Sequence, residues 1–119
     1  MDPNAPAEDR PPLRGVERRI AQNEALFRDV NESIARGHWP GEPEQPLALR
    51  CECGNLNCNM LVEVSGAEYE QIRSDPRRFV LVPGHEIATV ETVIERGADH
   101  VVVEKVGEAG KVARKTDPR

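Results

Sequence analysis

Apolar residues near the start of the chain fall at Val16, Ile20, Phe27, Val30 and Ile34, with steps of four and three once Asn23 is counted as the missing member. That period is helical, and it predicts a helix over 15–37 that Gly37 stops. The seam is heptad-like and predicts one of two arrangements. In a coiled coil, Asn23 would be the polar seam residue that fixes register. Alternatively the helix is amphipathic and lies on the chain's own sheet. Isolated short helices are marginal in water, and an amphipathic helix draws its stability mainly from packing, so this one must lie on its own domain or on a partner.

Past Gly37 the pattern changes. Pro40, Pro43 and Pro46 make 38–46 a linker that excludes both helix and inner strand. Leu47-Ala48-Leu49-Arg50 and Met60-Leu61-Val62-Glu63-Val64 then read as two strands of a hairpin, with 51–59 as its turn. Ser65-Gly66-Ala67-Glu68 is a capping box that starts a helix, with Tyr69 and Ile72 inward and an end at Asp75-Pro76. A third strand, Arg78 to Val82, leads into Pro83-Gly84-His85-Glu86. Val90 to Glu95 and His100 to Lys105 flank Arg96-Gly97-Ala98-Asp99 as a longer hairpin, although Val90, Val93 and Ile94 fit a helical face equally well. Gly107 to Arg119 is polar and predicts a short helix that frays at Asp117-Pro118.

The candidate chemistry sits in the first hairpin turn. All three cysteines lie in Cys51-Glu52-Cys53-Gly54-Asn55-Leu56-Asn57-Cys58, and His85 follows at the Pro-Gly turn. Three soft thiolates and an imidazole are the donor set that tetrahedral Zn²⁺ prefers. A Cys51–Cys53 disulfide would close too tight a ring, a Cys53–Cys58 bridge would leave an odd thiol, and an iron–sulfur cluster would want a fourth cysteine. A redox or thiol-transfer site and plain reduced cysteines are the remaining readings. Gly54 sits where a metal-gripping turn needs positive φ, with Asn55 and Asn57 as turn formers. The metal ligands are therefore read as Cys51, Cys53, Cys58 and His85. His38, His100, or Glu52, Glu86 or water are the alternatives for the fourth position.

The expected fold class is thus α+β: an N-terminal amphipathic helix, then a small mainly antiparallel sheet with one or two helices, stapled by a zinc knuckle. The expected division is a disordered arm at 1–14 rich in proline, the helix at 15–37, the linker at 38–46 and a zinc-binding domain at 47–119. One Trp, one Tyr and two Phe in 119 residues leave a small core of Val, Ile and Leu, which a structural metal would supplement.

Charge narrows the function. Sixteen basic against 21 acidic residues disfavour a nucleic-acid binder, unless Arg18-Arg19, Arg77-Arg78 and the tail cations converge in one patch. No apolar run suits a membrane span or a secretory leader, and cysteines used as ligands suit a reducing compartment, so a cytoplasmic location is expected.

The strings Asn23 to Glu32, Cys51-Glu52-Cys53-Gly54 with Cys58, Glu68-Tyr69-Glu70, Asp75-Pro76-Arg77-Arg78-Phe79, Pro83-Gly84-His85-Glu86, Val102-Val103-Glu104-Lys105 and Asp117-Pro118-Arg119 are also distinctive. Together they resemble a family of small uncharacterised proteins, mostly from actinobacteria, over roughly Arg18 to Arg119. The resemblance implies His85 as the fourth ligand and no particular activity. The family's usual acidic knuckle residues are here Asn55 and Asn57.

Three thiolates and a histidine close a tetrahedron and make zinc a poor Lewis acid, and no phosphate loop or nucleophile elbow accompanies them. The sequence thus points to a structural zinc in a regulatory or protein-interaction module. Its partner, or a second copy in a homodimer, would be reached through the Val16 to Arg36 helix. A nucleic-acid-associated zinc protein and a small zinc hydrolase or thiol enzyme are the alternatives.

Overall fold

The computed structural model describes residues 15–37 and 44–119; the expected arm at 1–14, most of the linker and His38 lie outside them. The elements are α1 (Gly15–Arg36), β1 (Pro46–Arg50), β2 (Leu61–Ser65), α2 (Gly66–Ile72), β3 (Arg78–Leu81), β4 (Glu91–Arg96), β5 (Val101–Lys105) and α3 (Gly107–Lys115). The α+β class and the helix-first order are as the sequence indicates. The β-structure divides into two small antiparallel sheets, β1-β2 and β3-β5-β4.

Local chemistry explains most of the elements. Leu47 and Leu49 of β1 alternate inward opposite Val64 and Val62 of β2, so the hairpin has one apolar face. At the end of β2, the Glu68 amide donates to Ser65 Oγ (3.1 Å) and the Ser65 amide to the Glu68 carboxylate (3.4 Å), the reciprocal cap that turns the chain into α2. In the second sheet β3 and β5 are buried on both faces, which is why these two strands read as continuous apolar runs. Val80 and Val102 pair on the side of the first hairpin and α2, joining Leu47, Leu49, Val62, Val64, Tyr69 and Ile72. Phe79, Leu81, Val101 and Val103 pack on the other side with Ala113 of α3 and the three cysteines.

The ambiguous segment Val90 to Glu95 is the edge strand β4. Its register slips between Val93, opposite Val103, and Glu95, opposite Val102, which leaves Ile94 as the extra residue of a bulge. That insertion breaks the alternation and produces the helix-like spacing of Val93 and Ile94.

Two expectations change at the surface of this core. The chain after α3 does not fray: Asp117 pairs with Arg73, and Arg119 reaches Glu32 (2.9 Å) and Glu70 (2.8 Å). The larger change concerns α1, which packs mainly on β1 and α3 through a polar face. Glu24, Arg28, Asn31 and Glu32 are buried beside Ala25 and Phe27, while Val30 and Ile34 of the expected seam stay 41% and 39% exposed and Leu26 54%. Arg28 donates to the carbonyls of Pro76 and Ala113 and stacks 4.5 Å from the Phe79 ring centre. Lys105 of β5 forms ion pairs with both Glu24 and Glu91. Asn23 serves this intramolecular packing, donating to Gly54 O (3.0 Å).

Candidate metal centre

The connection between β1 and β2 is built to present thiols. Cys51 extends the hairpin by one rung, its amide donating to Met60 O (3.0 Å), and the next amide, of Glu52, donates to Val80 O (2.9 Å) on β3. Gly54 then takes φ +78°, and the Cys58 amide donates to Asn55 O (2.9 Å). Asn55 Oδ1 also accepts from the Asn57 amide (2.9 Å), so the asparagines close the turn that returns Cys58 toward Cys51. His85 comes from the far end of β3: Gly84 adopts φ +91°, and the His85 amide donates to Val82 O (3.0 Å).

These two turns bring Cys51, Cys53, Cys58 and His85 together, with all four donor atoms within 4.8 Å of one another. His85 Nδ1 lies 3.5 Å from Cys51 Sγ and 3.7 Å from Cys58 Sγ. A tetrahedral centre with Zn–S of about 2.3 Å and Zn–N of about 2.0–2.1 Å has S···N edges of about 3.6 Å. The observed separations fit that shape, so the cluster can hold a metal ion. The cysteines are buried and His85 half-buried.

The Val82 amide donates to Cys51 Sγ (3.1 Å), an interaction that favours thiolate. Burial dominates instead and pushes the Cys51 and Cys53 thiols up. A bound cation would work in the opposite direction by stabilising the thiolates.

The alternatives for the fourth ligand fall elsewhere. The Glu52 side chain is buried and turned away from the thiols, where it ties α1 to β3. One carboxylate oxygen accepts from the Val80 amide (2.9 Å) and the other from Asn31 Nδ2 (2.8 Å). Burial pushes this carboxyl up to about 7, against the pull of those hydrogen bonds. Glu86 folds back to accept from the Gly84 amide (3.0 Å) and so shapes the His85 turn. His100 is buried in the β4–β5 loop, Nδ1 lying 3.3 Å from Asp99 Oδ1, and its ring lies where a Cβ on Gly97 would stand 2.3 Å from Cε1. Among the described residues, the four named above are the group able to hold a metal.

What the sequence did not reveal is the backing of the knuckle by α1. Asn23 and Asn31 both reach it, and Arg50 joins them by donating to Cys58 O (3.0 Å) while stacking 3.9 Å from the Phe27 ring centre. The available signal was a polar stripe, Glu24, Arg28, Asn31, Glu32, at helical spacing.

Compared with known protein families, with curated proteins and with solved structures, the chain matches none. No helix among the described residues is long and apolar enough to cross a membrane.

Proposed function

We propose that Cys51, Cys53, Cys58 and His85 hold one structural Zn²⁺, and that the protein is a regulatory interaction module. The observation that carries the metal reading is the agreement of two independent S···N separations, 3.5 and 3.7 Å, with the edges of a zinc tetrahedron. The donor set supports zinc over harder cations, since thiolates are soft. Four protein donors leave no open position for water, which favours a structural role over hydrolysis. Zinc would tie the first hairpin to the end of β3, and such sites contribute on the order of 10 kcal/mol to folding in small domains.

Elemental analysis of purified protein should find about one zinc per chain. His85→Ala should lose most of it, while His100→Ala retains it; equal loss in the two variants would sink the ligand assignment.

The interaction reading rests on the solvent face of α1, where Leu26, Val30 and Ile34 form a short apolar stripe. A protein partner, or a second copy of the chain, would cover it. Arginines that a nucleic-acid patch would need free are engaged by carboxylates: Arg77 with Asp75 and Glu104, Arg78 with Glu104, Arg119 with Glu32 and Glu70. Sedimentation of wild type against Leu26→Glu/Val30→Glu tests the homodimer. Two monomers would exclude self-association through this face and leave the hetero-partner to a pull-down with the same variant as control.

A further inference from the structure

We infer that α1 is a working part of the metal centre, with Asn23, Asn31 and Arg50 as positioning residues that hold the knuckle in its liganding shape. Metal occupancy and helix docking are therefore coupled. The inference rests on the metal reading above.

The backbone next to each cysteine is held by the helix, directly or through Arg50 of β1. Before Cys51, Asn31 makes a matched pair of bonds with Arg50: Nδ2 donates to the Arg50 carbonyl (2.8 Å), and the Arg50 amide donates to Asn31 Oδ1 (2.8 Å). Between Cys51 and Cys53, Asn31 Nδ2 also donates to the Glu52 carboxylate, whose other oxygen accepts from the Val80 amide on β3. After Cys53, Asn23 donates to Gly54 O, and the two backbones are in close approach: a Cβ at Gly54 would lie 2.8 Å from both the Ile20 carbonyl oxygen and Glu24 Cγ. At Cys58, Arg50 donates to the carbonyl while its guanidinium lies over Phe27 of α1.

These contacts use groups that burial would otherwise penalise. The Asn31 side-chain amide and the Glu52 carboxylate are satisfied by each other and by backbone at one geometry of the knuckle. If the knuckle relaxes, α1 loses the seat for its polar face. Linkage makes the effect reciprocal: the affinity that α1 lends the metal is the docking free energy the metal returns to α1.

The test uses the full chain loaded with zinc. Metal affinity is measured by chelator competition in wild type, Asn31→Ala and Asn23→Ala, with Val64→Ala as a variant destabilised in the apolar core at the end of the hairpin opposite the knuckle. Amide exchange is followed with and without metal. Loss of an outer hydrogen bond to a metal site typically costs about 10- to 100-fold in affinity. Asn31→Ala should lose about tenfold or more at a temperature where it is still folded, and Asn23→Ala less, whereas Val64→Ala changes affinity little. Removing the metal should speed exchange in 23–36 at least about tenfold, and in β3 to β5 by less. Equal affinity in Asn31→Ala and wild type, or α1 exchange indifferent to metal, would overturn the coupling even with zinc bound. Wild type that binds no zinc would bring down the metal reading and this inference together.

Discussion

Two regions of the fold are stabilised in opposite ways. On one side Leu47, Leu49, Val62, Val64, Tyr69, Ile72, Val80 and Val102 form an apolar cluster, where burial contributes free energy roughly in proportion to area and tolerates small changes of shape. On the other, α1 meets the fold through Glu24, Arg28, Asn31 and Glu32, joined by Glu52, Arg73 and Lys105. Buried charges bring little net stability because desolvation offsets their attraction. They do, however, penalise any other arrangement, since a shifted helix would strand several ions. The apolar side makes the protein stable, and the polar side decides where α1 sits.

The largest expected effect breaks the polar side. Lys105→Met strands Glu24 and Glu91 together, and unfolding by denaturant should show a loss of about 3 to 5 kcal/mol. Adding Glu24→Gln and Glu91→Gln to that variant should restore much of the loss; if it does not, the cost is packing and the contrast between the two sides fails. On the apolar side Leu49→Ala, at a site fully shielded from solvent, should cost about 3 kcal/mol, with no companion substitution that rescues it by removing charge.

A pH effect follows from Glu24. Burial pushes its carboxyl up to about 7, with Lys105 opposing and the Glu91 and Glu52 carboxylates adding to the rise. A carboxyl whose folded pKa exceeds its unfolded value binds its proton more tightly in the folded state, so stability falls as pH rises from about 4.5 through about 7. The denaturation midpoint of wild type should therefore drop relative to Glu24→Gln across that window, and parallel profiles would remove Glu24 from the account. The smallest effect is local to the apolar side. Ser65→Ala removes the α2 cap and should cost about 1 kcal/mol without altering the pH profile.

The same contrast explains what could be read in advance. The β1-β2 hairpin, the capping box and the thiol cluster were legible because each is written within a few consecutive residues. His85 was legible as a partner because its turn is marked by Pro83-Gly84. The placement of α1 was not, because its apolar residues suggest a seam of their own, whereas the buried stripe runs through Glu24, Arg28, Asn31 and Glu32. Polar residues at helical period ordinarily mark the solvent side, and only their distant partners, Lys105, Arg73 and the backbone at Arg50, Pro76 and Ala113, reverse that sense. The docked tail was hidden for the same reason: Asp117 and Arg119 find their counter-ions far away in sequence.

The outer edge of β3 gives the knuckle another role. Val80 would present an unpaired amide and carbonyl there, but the Glu52 carboxylate takes the amide and the Glu52 amide takes the carbonyl, while Cys51 Sγ takes the amide of Val82. The cysteine turn is thus a stopper on a strand whose side chains are among the most apolar in the chain. Withdrawn, it would offer an adhesive border to any other extended chain. Chelator-treated protein should accordingly scatter light on standing and bind a cross-β dye, while the metal-loaded form stays clear.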